Sequence, residues 1–247
     1  MNTRGQYILL WATIVVALVC LGCFFLFPGF LPPISPMASA DAVAAFYRDP
    51  GNLSRTRYSM ILYNWFGIGF LPLYGLIVVH IKRMNHYSDV FAYGFLAAAT
   101  SGVSLFATTD LYFQLIAFRP ERHAAIMQVL NDMAWLNFTA PVGFIVAQNV
   151  ALALAIYLDK SVRPVFAKWV AHFNLLIAAL IAPAALSVTT LTGPFAWDGL
   201  WSFWIRLGAI CLWGLVMFFV LWGAASREKR EEAVLSILNA SLQGAAQ

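Results

Sequence analysis

The sequence predicts an all-α fold, an integral membrane six-helix bundle, on three observations. Hydrophobic residues make up 62% of the 247 and charged residues 11%, against about 45–50% and about 25% in soluble domains. Six apolar runs each reach the roughly 20 residues that cross a hydrocarbon layer about 30 Å thick at about 1.5 Å per residue. None alternates with the period of a strand, and lipid offers the backbone no hydrogen-bond partner, so helix is the form required. A soluble globule and a disordered chain are excluded, and three cysteines cannot build a disulfide scaffold. The net charge of +4 comes from Lys and Arg flanking the apolar runs, which is a topology signal and not a nucleic-acid footprint.

The spans are expected at residues 7–27, 58–79, 91–118, 135–158, 165–191 and 200–224. The first is read as an uncleaved span. Its apolar core is too long for a signal peptide, and Ala38-Ser39-Ala40 lies well beyond it, after Pro28, Pro32, Pro33 and Pro36. Cys20 and Cys23 inside this run, and Cys211 in the last, read as small apolar packing groups. The prolines block helix continuation, and Ala40–Arg48 then shows the pattern of a short amphipathic helix lying on or lidding the outer face. Gly67, Gly69 and Pro72 loosen the second span, and Pro141 and Pro183 interrupt the fourth and fifth. Residues 121–133 are helical in pattern but too long to join the fourth span upright, so they begin outside the membrane or enter tilted. Gly193-Pro194 ends the fifth span, and Trp197, Trp201 and Trp204 suit the membrane interface.

Residues 1–226 form the membrane domain, and 227–247 a cytoplasmic amphipathic tail with Val234, Leu235, Leu238 and Leu242 on one face. Nine basic residues (Arg4, Lys82, Arg83, Lys160, Arg163, Lys168, Arg227, Lys229, Arg230) fall on one side, against Arg48, Arg55, Arg57, Arg119 and Arg122 on the other. That bias puts both termini in the cytoplasm. No internal repeat supports an inverted-repeat transporter.

Polar groups inside apolar runs carry the functional signal, because a charge at mid-helix costs about 2.5–3.5 kcal/mol on insertion scales. Counted along their spans, Asn64, Asp110 and Arg206 lie about 9–12 Å below the outer boundary and share a layer. Asn131 and Asp132 enter from the outer end of the fourth helix, with Gln128 and Trp135 a turn to either side, and Thr189 and Thr190 lie near the outer end of the fifth. His123 and Asp198 sit at the rim. Arg206 is expected to pair with Asp110 or Asp132. Such a pair is either a structural bridge fixing helix register or part of a charged pocket open to the outside, where the surplus carboxylate binds a cation, holds a proton or acts as an acid or base.

A second polar set, His80, Gln148, Asn149, His172 and Asn174, occupies the inner half. Hydrogen bonds between the fourth and fifth spans are its expected use. His80 and His172 are the only histidines placed for haem, His80 lies nearly at the surface, and no metal-ligand spacing occurs, so no cofactor and no metal are expected. Phosphate-cradling, nucleophile-elbow and dinucleotide motifs are missing, as are a histidine-box array and a membrane-embedded lysine.

The segments 130–135 (Leu-Asn-Asp-Met-Ala-Trp), 164–169 (Pro-Val-Phe, then Trp169) and 193–199 (Gly-Pro-Phe-Ala-Trp-Asp-Gly) resemble a set of uncharacterised polytopic membrane proteins of actinobacteria and proteobacteria. The resemblance covers about residues 119–204 and implies a bacterial cytoplasmic membrane, without bringing an activity or a catalytic residue. The functional expectation is a bacterial inner-membrane protein that binds a small amphipathic or apolar molecule or lipid in an outer-leaflet pocket, for transport, sensing or delivery. Asn64, Asp110, Asn131, Asp132, Trp135 and Arg206 are its ligand-binding candidates. An intramembrane enzyme using Asp110 or Asp132 as acid or base, and a structural subunit of a larger complex or homo-oligomer, are the alternatives. Lipid is the expected surrounding partner and nucleic acid is not.

Overall fold

A computed structural model describes residues 3–86 and 88–245, side chains excepted at 238–240, 242, 244 and 245. All regular structure among the described residues is helical. Six stretches are long and apolar enough to cross a membrane, Thr3–Leu26, Pro50–Lys82, Val90–Phe118, Ala124–Leu158, Lys168–Val188 and Leu200–Ile237, which makes the chain a multi-pass membrane protein. The helices are α1 (Thr3–Leu26), α2 (Ala40–Arg48), α3 (Pro50–Gly67), α4 (Leu71–Lys82), α5 (Val90–Phe118), α6 (Ala124–Thr139), α7 (Gly143–Leu158), α8 (Lys168–Ile181) and α9 (Arg206–Ala245). Each span packs on the next and the last packs back on the first, through α1 against α9, so the six follow one another around a ring. The first turns of α1 meet α9 at residues 226–228 at one end, the terminal end, and α2 lies at the other, which we call the lid end.

The ends of the elements follow local chemistry. Ser39 caps α2 by accepting from the Ala42 amide, and Asp49 caps α3 by accepting from the Asn52 amide, with Pro50 at the first helical position. The second span therefore starts at residue 50 and not at 58 as hydropathy alone suggests, because its first two turns are polar and stand outside an apolar window. A single 3-10 turn, Ile68–Phe70, joins α3 to α4 at the glycine pair. Gly69 is where α1 comes close: a β-carbon there would press on Val16. The fourth span starts at Ala124, ahead of the apolar run that begins at 135, and is interrupted at Pro141 as its sequence leads one to expect. It breaks at 140–142, where Pro141 has no N–H to donate.

Arginines at the lid end serve as helix stops. Arg55 donates to the Leu26 and Phe25 carbonyls at the end of α1, and Arg57 donates twice to the Ala117 carbonyl at the end of α5. Arg48 binds the Pro120 and Arg122 carbonyls, and Arg122 the Leu115 carbonyl. Four of the five basic residues assigned to this side thus satisfy orphan carbonyls of helix C-termini and the following turn.

The core divides into two halves. Toward the terminal end it is aliphatic, around Leu10, Leu73, Ile77, Leu152, Ile177 and Met217. Toward the lid end it is aromatic, around Phe27, Phe30, Phe113, Trp135, Phe138 and Phe203. Phe27 and Phe30 come from the segment after α1, which turns back into the bundle. Gly29 makes that turn at a φ of +71°, with Phe46 and Ile34 so close that a β-carbon would meet them at 3.0 and 2.9 Å. Trp197 is not an interfacial aromatic; it is buried and donates its indole N–H to the Ile34 carbonyl at 2.7 Å, pinning this segment down.

The inner polar set is used differently from expectation. Asn174 does not bond the fourth span; it accepts from the Trp213 indole of α9 at 2.9 Å, while Asn149 bonds its own helix at the Ile145 carbonyl and His172 is exposed. Residues 206–245 form one helix with no break at 226, and Val234 and Leu235 are exposed; Leu238 and Leu242 lie outside the described side chains. At the terminal end, the Asp159 carboxylate gathers the loops: it accepts from the Ser161 hydroxyl and amide and from the Asn85 and Val165 amides.

Partial burial of Asp159 works to raise its pKa, but these hydrogen bonds outweigh it and hold the carboxyl below its usual value of 3.8. A lowered carboxyl stabilises the fold fully above that value and ceases to do so as pH falls through the lower folded value. Asp159→Asn should therefore flatten the acid limb of a Tm-against-pH curve and lower Tm near neutrality. An unchanged acid limb would show that the loop bonds form equally well to the neutral acid.

Candidate functional site

In the lid-end half, irregular backbone from three spans converges. The break at 140–142 lies beside the 3-10 segment Ala182–Val188, and that segment packs on a π-helical stretch, Leu200–Ile205, that leads into Arg206. The Thr139 and Ser187 hydroxyls pair at 3.1 Å and join the first two. Non-helical backbone inside a membrane is tolerated where protein or a cavity covers it, and π-turns inside spans recur at functional sites.

Asp110 on α5 is 1% exposed, and its two oxygens differ. Oδ2 accepts from Asn64 of α3 at 2.9 Å and from Gln114, one turn along α5, at 2.8 Å. Oδ1 is buried with no partner. Beside it lies a cavity of about 10 Å³, lined by Tyr63, Thr109, Asp110 and the rings of Phe24, Phe30, Phe106, Phe113 and Phe138. That is room for about one water.

Arg206, also 1% exposed, makes no ion pair with Asp110 or Asp132, contrary to expectation. Its guanidinium lies over the Phe138 ring, 4.6 Å from the centroid, and its Nε and Nη1 are buried without partners. Stacking on an aromatic face gives a cation about 0.5–2 kcal/mol, well short of replacing its hydrogen bonds. Arg206 is met by an aromatic face in place of a carboxylate: Phe138 underlies it and also lines the Asp110 cavity.

Trp135 completes the set. It is buried against Phe30, Phe113, Phe138 and Phe203, with an unpartnered indole N–H. Three orphan donor atoms, on two side chains, and one orphan acceptor thus border a single aromatic cluster.

The remaining candidates are placed elsewhere. Asn131 is buried but faces α2, where it accepts from the Tyr47 hydroxyl at 3.0 Å. Asp132 is half-buried and does not line the cavity. Gln128 donates to the Ala38 carbonyl, His123 caps α6, and Thr189 and Thr190 bond local carbonyls. Asn64 reaches Asp110 from the exposed side of α3.

Several residues here were not anticipated. Gln114 stands at i+4 from Asp110, so helical spacing offers it. Tyr63, Phe138 and the Asn137 amide, which donates to Thr109 Oγ1 at 2.7 Å, carry no sequence signal distinguishing them from other core positions.

Burial pushes the Tyr47 hydroxyl above its usual pKa, so it acts as a neutral donor to Asn131. Tyr47→Phe should cost about 1–2 kcal/mol, since it also leaves the Asn131 oxygen unpaired. A thermal melt measures this, and an unchanged Tm would mean that water replaces the bond.

No family model, no curated protein and no solved structure matches the chain. Among the described residues no three His, Cys, Asp or Glu side chains group as a metal site.

Proposed function

We propose that the chain is a bacterial inner-membrane protein that binds a small amphipathic molecule within the lid-end half, with Arg206, Asp110 and the Trp135 indole receiving its polar head. The observation that carries this is the convergence of three unsatisfied polar groups on one aromatic cluster: Asp110 Oδ1, Arg206 Nε and Nη1, and Trp135 Nε1. Buried polar groups are paired in the great majority of cases, and an unpaired cation is the costliest exception. A guest carrying an acceptor for Arg206 and Trp135 and a donor for Asp110 satisfies all three, while its apolar part displaces or parts the rings of Phe24, Phe106 and Phe138. The present cavity holds no more than a water, so binding requires those rings to move.

The lid end faces the periplasm in this reading and both termini face the cytoplasm. The unequal count of Lys and Arg supports it, and so does the use of Arg48, Arg55, Arg57 and Arg122 as helix stops, which gives basic residues on the minority side a structural reason. Transport, sensing and delivery all remain compatible with such a site.

The test is mass spectrometry of lipids, metabolites and proteins that co-purify with the full chain in mild detergent, with Asp110→Asn alongside. A small amphipathic species enriched with the wild type and depleted at least about 10-fold by the variant, roughly the weight of one charge-assisted hydrogen bond, is the expected result. Identical profiles, differing only in Tm, would reduce the polar groups to packing. A stoichiometric second protein with no small molecule would favour a subunit role.

A further inference from the structure

We propose a second binding site at the terminal end, between α1 and α9, for a phospholipid with an anionic phosphodiester headgroup. It is separate from the lid-end cluster and does not depend on it. The site is a cavity of about 500 Å³ lined by Thr3, Arg4, Tyr7, Ile8, Trp11 and Lys229. That size falls within the range of small-molecule sites, about 300–1,000 Å³.

Its lining carries two cations and no carboxylate. Glu228 is engaged away from the cavity by Arg83 at 2.6 Å and by Gln6 at 3.1 Å, Glu231 is engaged by Arg83 at 3.8 Å, and Glu232, which accepts from Thr3 at 3.3 Å, does not line the cavity. Arg4 and Lys229 are exposed and form no ion pair among the described residues. Two cations thus flank one opening without a carboxylate between them.

Polarity then falls with depth. Arg4, Ile8 and Trp11 are spaced i, i+4, i+7 on α1, so they share a face, with Ile8 about 6 Å and Trp11 about 10 Å below Arg4. Ile8 and Trp11 are 60% and 57% exposed, and Val15 and Leu18 continue the same open stripe. Trp11 is held edge-on by Trp222 and Phe218 of α9, and the Tyr7 hydroxyl by Ser226 at 2.8 Å. A charged mouth, an aromatic waist and an apolar stripe facing the bilayer repeat the order of a phospholipid: phosphate, glycerol ester, acyl chain. Inorganic phosphate or an acidic peptide would use the mouth alone and leave the stripe without a role.

The experiment is native mass spectrometry and affinity titration of the full chain in detergent with phosphatidylglycerol, phosphatidylcholine and glycerol phosphate as probes. Phosphatidylglycerol should bind, and the double variant Arg4→Gln with Lys229→Gln should weaken it about 10–30-fold, the weight of two surface cations near a lipid headgroup. Arg163→Gln, which removes an exposed cation at the same end away from the cavity, should leave binding unchanged. Because both altered positions are exposed, an unchanged lipid-free Tm is expected to accompany the loss. Equal weakening by Arg163→Gln, full binding by the double variant, equal affinity for phosphatidylcholine, or glycerol phosphate binding as tightly as the lipid would each overturn the assignment. So would a lipid-insensitive dimer occupying the groove.

Discussion

Arg206→Met should make the purified protein more stable while emptying the lid-end site. A guanidinium whose Nε and Nη1 have no partner in a low-dielectric interior is a cost the wild-type fold carries, and its contact with Phe138 offsets only part of it. Methionine has similar length and no charge, and it keeps a favourable contact with the ring. Replacing buried charge by an apolar side chain of like volume gains about 1–4 kcal/mol in other proteins, and a gain in that range is expected here. The same variant should lose the co-purifying species at least about 10-fold, because the charge-assisted bonds to its head are gone. Arg206→Lys keeps the charge but not the planar stack, so it should not be stabilised. The measurements are Tm in detergent and mass spectrometry on the same samples. A lower Tm with an unchanged small-molecule profile would identify Arg206 as a structural brace and sink the proposed site. Gain of stability with loss of a ligand is the mark of a functional residue held at a cost.

Gly199→Ala should be among the most damaging single-methyl changes in the chain. A β-carbon at 199 would strike the Gly193 and Pro194 carbonyls, and these are backbone atoms that cannot rotate aside. The turn they form is tied together by the Trp201 amide to the Pro194 carbonyl and by the Ser202 hydroxyl to the Phe195 carbonyl, both at 2.8 Å or less. Opening it shifts the start of the π-helical stretch that aims Arg206, and moves Trp197 off Ile34. A loss of about 2–3 kcal/mol is expected, at the upper end of overpacking costs, with a red shift in tryptophan emission as Trp197 meets water. Ser202→Ala, which removes one bond and adds no bulk, should cost only about 1 kcal/mol. Should Gly199→Ala melt like the wild type, the turn is not a fixed element. By contrast, Gly102→Ala presses only on the Phe144 ring, and Phe144→Leu should rescue it.

How far the chain could be read without coordinates differs by feature. Six spans were legible because each must satisfy its own backbone in lipid and so needs an unbroken apolar run. The boundaries of α2 were legible because Ser39, Asp41 and Arg48 are local signals for one short helix. The start of α3 was missed because Asp49-Pro50 begins a helix outside the apolar window, whereas the interruption of the fourth span was legible at Pro141, a residue with no N–H to donate. At the site, the sequence singled out Asp110 and Arg206, and both border one aromatic cluster through Phe138. The sequence could not foresee Phe138 against both of them, nor that Asn131 bonds Tyr47 and that Asp132 does not line the cavity.

The physical division is between one-dimensional and three-dimensional constraints. Span number, helical form and the level of each polar group follow from hydropathy, from backbone hydrogen bonding in lipid and from a fixed rise per residue, all of which act along the chain. Which neighbour a side chain meets depends on the rotation of each helix about its axis and on the order of spans around the ring, quantities set by packing of aromatic side chains from distant segments. Counting along the chain could propose a common level for Asp110 and Arg206, but not that each meets Phe138, a ring from a third helix.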